Sequence, residues 1–227
     1  MKLYIDDADT KKIRELMNYL PIDGITTNPT IIARSGRPPF EVLREIREII
    51  GHGRDLHVEV LRRDCEGMIE EAHRILRILG DDTYIKIPVT PEGYRAIRAL
   101  SEEGVRVTAT AILSPMQAFL AAKAGASFVA PYVNRIDEMG YDGKGVALSI
   151  REMLAVHEYP CEVLAASFKN SMQIQSLCEE GIECVTAPPD VLEALIFNPS
   201  TDVSVDRFEQ NFRRAYGEDA TMLTVPE

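Results

Sequence analysis

A lysine stands within an otherwise apolar run of β-strand residue types, YIKIPV at positions 84–89. Because side chains alternate along a strand, Lys86 faces away from the isoleucines on either side of it. If those isoleucines pack outward, Lys86 is enclosed, and an apolar environment disfavours its charged form. A neutral amine can attack a ketone to form a Schiff base. The same pattern equally fits a lysine in a salt bridge with an enclosed carboxylate from Asp6 or Glu59.

Two carboxylates, Asp6 and Glu59, lie near the ends of their own apolar runs and could divide general acid and general base catalysis between them. One could move a hydroxyl proton while the other orients a water molecule with Thr110; alternatively, both only balance the lysine charge. A further interpretation is a metal site, because Asp6, Asp7 and Asp9 crowd one turn and hard cations prefer oxygen ligands. Alternation lets only one of Asp6 and Asp7 face inward, and Asp9 has the position of a helix N-cap. We therefore expect no metal.

Three residues in the second half of the chain could bind a phosphate group. Arg135 can grip phosphate through two hydrogen bonds, Ser167 adds a hydroxyl, and Lys169 adds a point charge. The helix expected after Lys169 would direct its N-terminal amides the same way. Each residue alone is more typical of a surface charge or a cap. Tyr132 either packs inside a barrel or uses its hydroxyl to position a catalytic water.

The elements that must position these side chains alternate regularly between two patterns. Short apolar runs predict strands, and the segments between them have helical spacing, so the chain consists of parallel βαβ units. Eight units in 227 residues favour a closed (β/α)8 barrel over an open doubly wound sheet. The polar candidates then gather at the carboxyl ends of the strands, where barrel chemistry takes place. The predicted strands are Leu3–Asp6, Gly24–Asn28, Leu56–Val60, Tyr84–Val89, Val105–Leu113, Ser127–Val133, Glu162–Ser167 and Glu183–Ala187.

A further helix is predicted over Asp202–Gly217, with Phe208, Phe212, Ala215 and Tyr216 on one face. A finished barrel does not need it, so it either packs across the barrel or reaches a neighbouring subunit. We expect a catalytic barrel domain over residues 1–200 and a C-terminal helix and tail over residues 201–227, at a subunit interface.

The net charge of -11 and the pI near 4.9 give no general electrostatic reason to approach nucleic acid or an anionic membrane. No apolar run is long enough to span a bilayer, and the first residues do not have the pattern of a signal peptide. We therefore expect a soluble, cytoplasmic protein with neither nucleic acid nor membrane as a partner. The four cysteines show no CxxC pairing and are expected to be free core thiols, and the four histidines form no zinc-ligand pattern.

Several longer segments resemble one known family, the small transaldolases and fructose-6-phosphate aldolases, which are class I aldolases with a (β/α)8 barrel. The resemblance runs from near residue 1 to about residue 217, and GITTNPTIIA and PYVNRID are long and specific to the family. The matching segments are LYIDDAD, GITTNPTIIA, LHVEV, IKIPVT, TATAI, AGASFVAPYVNRID, VLAASFKN and DRFEQNFRRAYG.

The resemblance implies a role for each catalytic candidate. Lys86 looks like the Schiff-base lysine, and Asp6 looks like the carboxylate that handles the proton of the sugar C4 hydroxyl. Glu59 and Thr110 look like the pair that holds the catalytic water.

The resemblance also implies ligands, partners and assembly. Thr26 and Asn28 look like ligands of the dihydroxyacetone portion of a phosphosugar. Arg135 and Ser167 look like phosphate ligands, with Lys169 where typical members carry arginine. The family needs no metal and no organic cofactor. Its small members are similar in forming homo-oligomers, decamers of two pentameric rings that exchange a C-terminal helix.

Two positions separate the branches of the family. Transaldolases typically pair glutamate at position 59 with phenylalanine at position 132, whereas the aldolases pair glutamine with tyrosine. This chain has Glu59 and Tyr132, and it has Thr108 where typical transaldolases have asparagine. The segment PYVNRID and the closing helix resemble the aldolase branch. We therefore expect a fructose-6-phosphate aldolase that uses dihydroxyacetone and glyceraldehyde 3-phosphate, with transaldolase as the alternative.

Overall fold

Eight parallel strands close into a barrel in sequential order, and β8 pairs with β1 to complete it. The computed structural model describes residues 1–225, which separate into two units, the second beginning at Glu193. The predicted (β/α)8 barrel is confirmed. The strands are β1 Lys2–Asp6, β2 Gly24–Thr26, β3 Asp55–Glu59, β4 Thr83–Pro88, β5 Val107–Ile112, β6 Phe128–Pro131, β7 Glu162–Ala165 and β8 Cys184–Ala187.

Helices follow the strands, and most begin at a polar N-cap side chain. Asp9 accepts from the backbone N–H groups of Lys11 and Lys12, which confirms the predicted cap of the first helix. The helices are α1 Thr10–Met17, α2 Pro29–Arg34, α3 Pro39–Ile50, α4 Cys65–Leu79, α5 Pro91–Glu102, α6 Pro115–Lys123, α7 Val133–Glu138, α8 Gly143–Val156, α9 Ser171–Glu179, α10 Pro189–Glu193 and α11 Pro199–Tyr216.

Strand alternation places isoleucine and valine against the helices and aromatic or polar side chains inside the barrel. Ile85 and Ile87 of β4 are fully buried, with Lys86 between them on the other face. Toward the amino ends of the strands, the interior is filled by a cluster of Tyr4, Phe128, Leu164 and Cys184, with Tyr84 packed against it. The polar candidates lie further along the same inward rows, toward the carboxyl ends.

Several predicted strands are too long at their carboxyl ends, because the backbone leaves the sheet there. β2 ends at Thr26, and Asn28 already caps α2. The register of β5 shifts between Ala109 and Ile112, and Ala111 between them has a φ of 60°. Tyr132 lies just after β6, where it forms an isolated parallel bridge with Ala166 and precedes α7. Ser167 follows β7 with a φ of 61°.

The second unit contains α11, which begins three residues before the predicted Asp202. Asn198 accepts from the N–H of Ser200 as N-cap, and Pro199 occupies the first turn, where its missing N–H costs nothing. No residue of α11 is buried, and Phe208 is 67% exposed. Phe212 and Tyr216 contact each other with ring centroids 4.8 Å apart, as expected for neighbours on one helix face.

The structure also bears on two further predictions, one on membrane-spanning helices and one on the cysteines. No helix among the described residues is long and apolar enough to cross a membrane. All four cysteines are free thiols, but the prediction that all lie in the core is wrong: Cys65 and Cys184 are buried, whereas Cys161 is half-buried and Cys178 is exposed. Cys178 lies near the carboxyl end of α9, on the solvent side of that helix.

Replacing Gly24 by alanine should lower the free energy of unfolding by about 1–3 kcal/mol. The added Cβ would overlap the backbone oxygen of Asp55 and lie 2.8 Å from the Tyr4 ring. Urea unfolding followed by circular dichroism measures the change. Gly53→Ala is the matched control, since a Cβ at Gly53 meets nothing within 4 Å. Equal stability of the two variants would contradict the close packing between β1, β2 and β3.

Candidate active site

One cavity of about 1260 Å³ opens at the carboxyl ends of the strands. All ten candidate residues from the sequence line it, and they come from β1 to β7 or from the segments directly after these strands. The barrel thereby brings together side chains that are far apart in the sequence. The ten residues are Asp6, Thr26, Asn28, Glu59, Lys86, Thr110, Tyr132, Arg135, Ser167 and Lys169.

Lys86 lines this cavity with only 6% of its surface exposed. Its Nζ donates to the Thr27 carbonyl oxygen at 2.8 Å and lies 3.5 Å from a carboxylate oxygen of Glu59. The Thr27 peptide is itself fixed, because its N–H and its hydroxyl donate to the His57 carbonyl at 2.9 Å and 3.1 Å. The amine is therefore enclosed and faces a carboxylate, which is compatible with both sequence interpretations.

Glu59 is the register partner of Lys86 on the neighbouring strand. Burial raises the pKa of Glu59 above its ordinary value, and the positive charge of Lys86 partly offsets this effect. The Glu59 oxygen nearest to Lys86, Oε2, has no hydrogen-bond partner among residues 1–225. This buried oxygen instead takes part in the ion pair with Lys86.

Asp6 lies beside Thr26 across the β1–β2 pair. Thr26 Oγ1 donates to Asp6 Oδ1 at 2.6 Å and lies 2.7 Å from Thr186 Oγ1. Burial raises the pKa of the Asp6 carboxyl, while the charge of Lys86 and the Thr26 hydrogen bond act in the opposite direction. A carboxylate with a raised pKa is suited to take up a proton near neutral pH.

Thr110 and Tyr132 contact each other in the lining of the cavity. Their hydroxyl oxygens are 3.1 Å apart, and either can be the donor. Thr110 directly precedes Ala111, which adopts a left-handed backbone conformation at the irregular end of β5. Such a conformation in a residue other than glycine costs roughly 1–3 kcal/mol and is characteristic of functional sites.

Asn28 has a second task besides facing the cavity. Its Oδ1 accepts from the N–H of Ile31 at 3.0 Å and so caps α2. The remaining polar atom of the side chain, Nδ2, is then the one available to donate to a ligand.

The three candidate phosphate residues lie together at the β6 and β7 side of the cavity. The Arg135 guanidinium stacks over Tyr132, with its central carbon 5.0 Å from the ring centroid. Ser167 has the left-handed backbone described above, and Lys169 is exposed. Neither Arg135 nor Lys169 forms an ion pair with a residue that the structure describes, so both charges are available to an anion.

The crowded aspartates after β1 serve the local backbone. Asp7 accepts from the N–H groups of Ala8 and Asp9 at 2.6 Å and 3.0 Å, and Asp9 caps α1. These carboxylates stabilise the loop and the helix start, and no group of three potential metal ligands is found among residues 1–225.

A buried histidine lies one inward position before Glu59 on β3. His57 Nδ1 is 2.8 Å from Thr108 Oγ1, and its ring stacks on Tyr84 with centroids 4.6 Å apart. Its Nε2 has no hydrogen-bond partner among the described residues. Thr108 is the β5 register partner of Lys86, so the pair forms a polar layer next to the lysine.

Sequence reasoning missed two contributors to this site. The Thr27 carbonyl holds Lys86, and a backbone atom leaves no signal in residue types. Thr186 contacts Thr26, and strand alternation could have found it, because Thr186 shares the inward row of β8 with Cys184.

The fold and its cavity define a (β/α)8-barrel enzyme, and comparison with known proteins gives the family. The chain matches the family described as Transaldolase/Fructose-6-phosphate aldolase over residues 3–225. It therefore belongs to the transaldolase/fructose-6-phosphate aldolase family, which confirms the resemblance and makes it an enzyme of carbohydrate metabolism.

Relatives from three organisms divide between the two branch names. A "probable fructose-6-phosphate aldolase" of Streptococcus pneumoniae is 40% identical over 213 residues, covering 93% of this chain and 96% of that protein. A "probable transaldolase" of Hydrogenobaculum sp. is 38% identical over 214 residues, covering 94% and 97%. A "probable transaldolase" of Clostridium acetobutylicum is 39% identical over 216 residues, covering 95% and 99%.

His57 should make the protein less stable as the pH falls. Burial, and next the charge of Lys86, lower the pKa of His57 well below 6.5, so the folded state keeps the ring neutral while the unfolded chain protonates it. Above the pKa that this histidine has in the unfolded chain, His57 does not lower the free energy of unfolding. Below that pKa, the free energy of unfolding falls by about 1.4 kcal/mol per pH unit. Urea unfolding between pH 7 and pH 5 should therefore show a shallower decline for His57→Phe.

The control is His157→Asn, which removes an exposed histidine that forms no ion pair with a described residue and should keep the wild-type decline. An unchanged pH dependence in His57→Phe would show that His57 is not held neutral.

Proposed function

We propose that this enzyme is a class I aldolase that cleaves fructose 6-phosphate into dihydroxyacetone and glyceraldehyde 3-phosphate, and also forms it from them. The observation that carries the proposal is the enclosed Lys86 amine, which lines the cavity, lies 3.5 Å from a Glu59 oxygen and interacts electrostatically with Asp6. An enclosed amine near two carboxylates has both the nucleophile and the proton acceptors that this reaction needs.

The first half of the reaction forms and uses the Schiff base. Lys86 Nζ attacks the C2 ketone, and the carbinolamine loses water to give an iminium. Asp6 then takes the proton of the C4 hydroxyl, the C3–C4 bond breaks, and its electrons pass to the iminium to give an enamine. Glyceraldehyde 3-phosphate leaves as the aldehyde product.

The second half releases the three-carbon fragment. The enamine takes a proton at C3, and a water molecule adds to C2 of the regenerated iminium. Glu59, Thr110 and Tyr132 hold this water; the 3.1 Å contact between the two hydroxyls and the position of all three residues in the cavity lining support that role. Hydrolysis frees dihydroxyacetone and restores the Lys86 amine, so no organic cofactor or metal enters the cycle.

Substrate recognition divides between two ends of the cavity. Thr26 and Asn28 lie on the dihydroxyacetone side, and Arg135, Ser167 and Lys169 on the phosphate side. Two unpaired cations and a hydroxyl suit a phosphate dianion, and arginine can bind it through two hydrogen bonds.

Transaldolase is the second candidate, in which the enamine stays bound until an aldose phosphate acceptor such as erythrose 4-phosphate arrives. Glu59 favours it, since transaldolases of the family typically carry glutamate there, and two of the relatives bear that name. Tyr132 favours the aldolase, because its hydroxyl next to Thr110 can assist the water that releases dihydroxyacetone.

Two other classes of function make different predictions. A metal-dependent sugar-phosphate enzyme would lose activity with a chelator. A phosphosugar-binding barrel without catalysis would bind ligand without turnover, and it has no need of an enclosed lysine beside two carboxylates.

We also propose a homo-oligomer in the cytoplasm, with residues 1–200 as the catalytic barrel domain and residues 201–227 as a helix and tail at a subunit interface. The support is that no residue of α11 is buried in the single chain although Val203, Phe208 and Tyr216 are exposed apolar side chains. The pentamer or decamer rests on the resemblance.

Borohydride reduction in the presence of fructose 6-phosphate should add a sugar-derived fragment to Lys86, detected by peptide mass spectrometry. Lys86→Met should lose both the adduct and at least about 10³-fold in turnover, because no other amine replaces the nucleophile. Lys123→Met, at the exposed end of α6, is the matched control and should keep both. Sugar cleavage by Lys86→Met would overturn the proposed mechanism.

Tyr132→Phe should favour transfer of the three-carbon unit to an acceptor over its release as free dihydroxyacetone. Without the hydroxyl, hydrolysis of the Schiff base slows by about tenfold or more, while an aldose phosphate can still capture the enamine. The measurement is free dihydroxyacetone formed with and without erythrose 4-phosphate. If the wild type releases no free dihydroxyacetone under either condition and, once the acceptor is added, forms a seven-carbon ketose phosphate instead, the main activity is transaldolase and the aldolase proposal fails.

A further inference from the structure

A hydroxyl group of β8 reaches the catalytic carboxylate of β1 through a second hydroxyl. Thr186 Oγ1 lies 2.7 Å from Thr26 Oγ1, and Thr26 Oγ1 donates to Asp6 Oδ1 at 2.6 Å. Thr26 is fully buried and Thr186 is 3% exposed, so bulk water does not compete for these bonds. The two threonines belong to the strands on either side of β1, and they meet inside the barrel.

The direction of the protons follows from what each group can donate. An ionised carboxylate only accepts, and a threonine hydroxyl has one proton and two lone pairs. Because Thr26 gives its proton to Asp6, it must accept in its contact with Thr186, and Thr186 must be the donor. Hydrogen bonds linked in this way in a poorly hydrated interior polarise one another and strengthen by roughly 10–30% each.

We propose that Thr186 is a positioning residue of the reaction: it orients the Thr26 hydroxyl so that Asp6 Oδ1 is occupied and Asp6 Oδ2 is left to take the substrate proton. This inference rests on the proposed function, in which Asp6 accepts the C4 hydroxyl proton. Asp6 Oδ2 forms no hydrogen bond with the residues that the structure describes, whereas Oδ1 has the Thr26 bond.

The same arrangement gives Thr26 a further role besides that of a ligand of the dihydroxyacetone portion. Its proton is committed to Asp6, and one of its lone pairs accepts from Thr186. Thr26 therefore acts mainly through Asp6, and loss of the Thr186 hydroxyl should change proton transfer more than substrate affinity.

The charged groups around Asp6 determine how loss of the Thr186 hydroxyl changes the pH dependence of kcat/KM. Lys86 faces Asp6 from β4 and Glu59 from β3, and Asp7 follows it in the chain. The Thr26 hydrogen bond lowers the pKa of Asp6 against the larger effect of burial. A Thr26 hydroxyl that no longer has a fixed direction lowers the pKa less, so the acidic limb of kcat/KM should move to higher pH.

The test compares Thr186→Val, which keeps the shape but loses the hydroxyl, with Thr186→Ser, which keeps the hydroxyl. For fructose 6-phosphate cleavage by the full chain, Thr186→Val should lose about tenfold in kcat with KM within about twofold. Its acidic limb should shift upward, and Thr186→Ser should restore both. If Thr186→Val does not fold, Thr186→Cys, whose S–H is a weak donor, replaces it with the same expectations.

A thermal melt and borohydride trapping at Lys86 accompany the kinetics. Wild-type kcat and pH profile in a folded Thr186→Val protein would overturn the inference, as would an equal loss in Thr186→Ser. A wild-type enzyme that is never trapped at Lys86 would overturn the proposed function itself. Normal trapping together with an unmoved pH profile would overturn only the role of Thr186.

Discussion

The enclosure of the Lys86 amine is the constraint on which the rest of the site depends. A charged or strongly polar group out of water is costly unless its hydrogen bonds are satisfied. Thr27 supplies a carbonyl acceptor at 2.8 Å and Glu59 a carboxylate at 3.5 Å, and the Thr27 peptide is held in turn by the His57 carbonyl. The barrel interior thus fixes an amine at a defined position and leaves it facing the cavity.

The chain is acidic overall, yet the proposed substrate is an anion. Positive charges at one side of the cavity explain how the protein can bind it. Carboxylates outnumber lysine and arginine by 36 to 25. At the phosphate side of the cavity, however, Arg135 and Lys169 have no carboxylate partner among the described residues, and Arg135 is held by stacking on Tyr132. A cation oriented by an aromatic ring keeps its hydrogen-bond donors available for phosphate.

Much of this site could be predicted from the sequence, because alternation and strand order are properties of residue patterns. The isoleucines on either side of Lys86 indicate that its side chain faces the interior of the barrel. The parallel order of the strands predicts that Asp6 and Glu59 lie at the same, carboxyl end of the barrel. The irregular strand ends were not predictable, because the left-handed backbone of Ala111 leaves no signal in its residue type. Tyr132 lies just after the last residue of β6, as the N-cap of α7. The Thr27 carbonyl could not be found either, since its role does not depend on its side chain.

The central claim is that Lys86 forms a covalent bond with the ketone carbon of a phosphosugar in this cavity. A crystal structure of the enzyme reduced with borohydride in fructose 6-phosphate tests it most directly. We expect continuous density between Lys86 Nζ and the former ketone carbon, with Asp6 next to the reacting carbons and, where cleavage has not occurred, phosphate beside Arg135. Density joined to another lysine, or a sugar bound in the cavity without a bond to Lys86, would contradict the account.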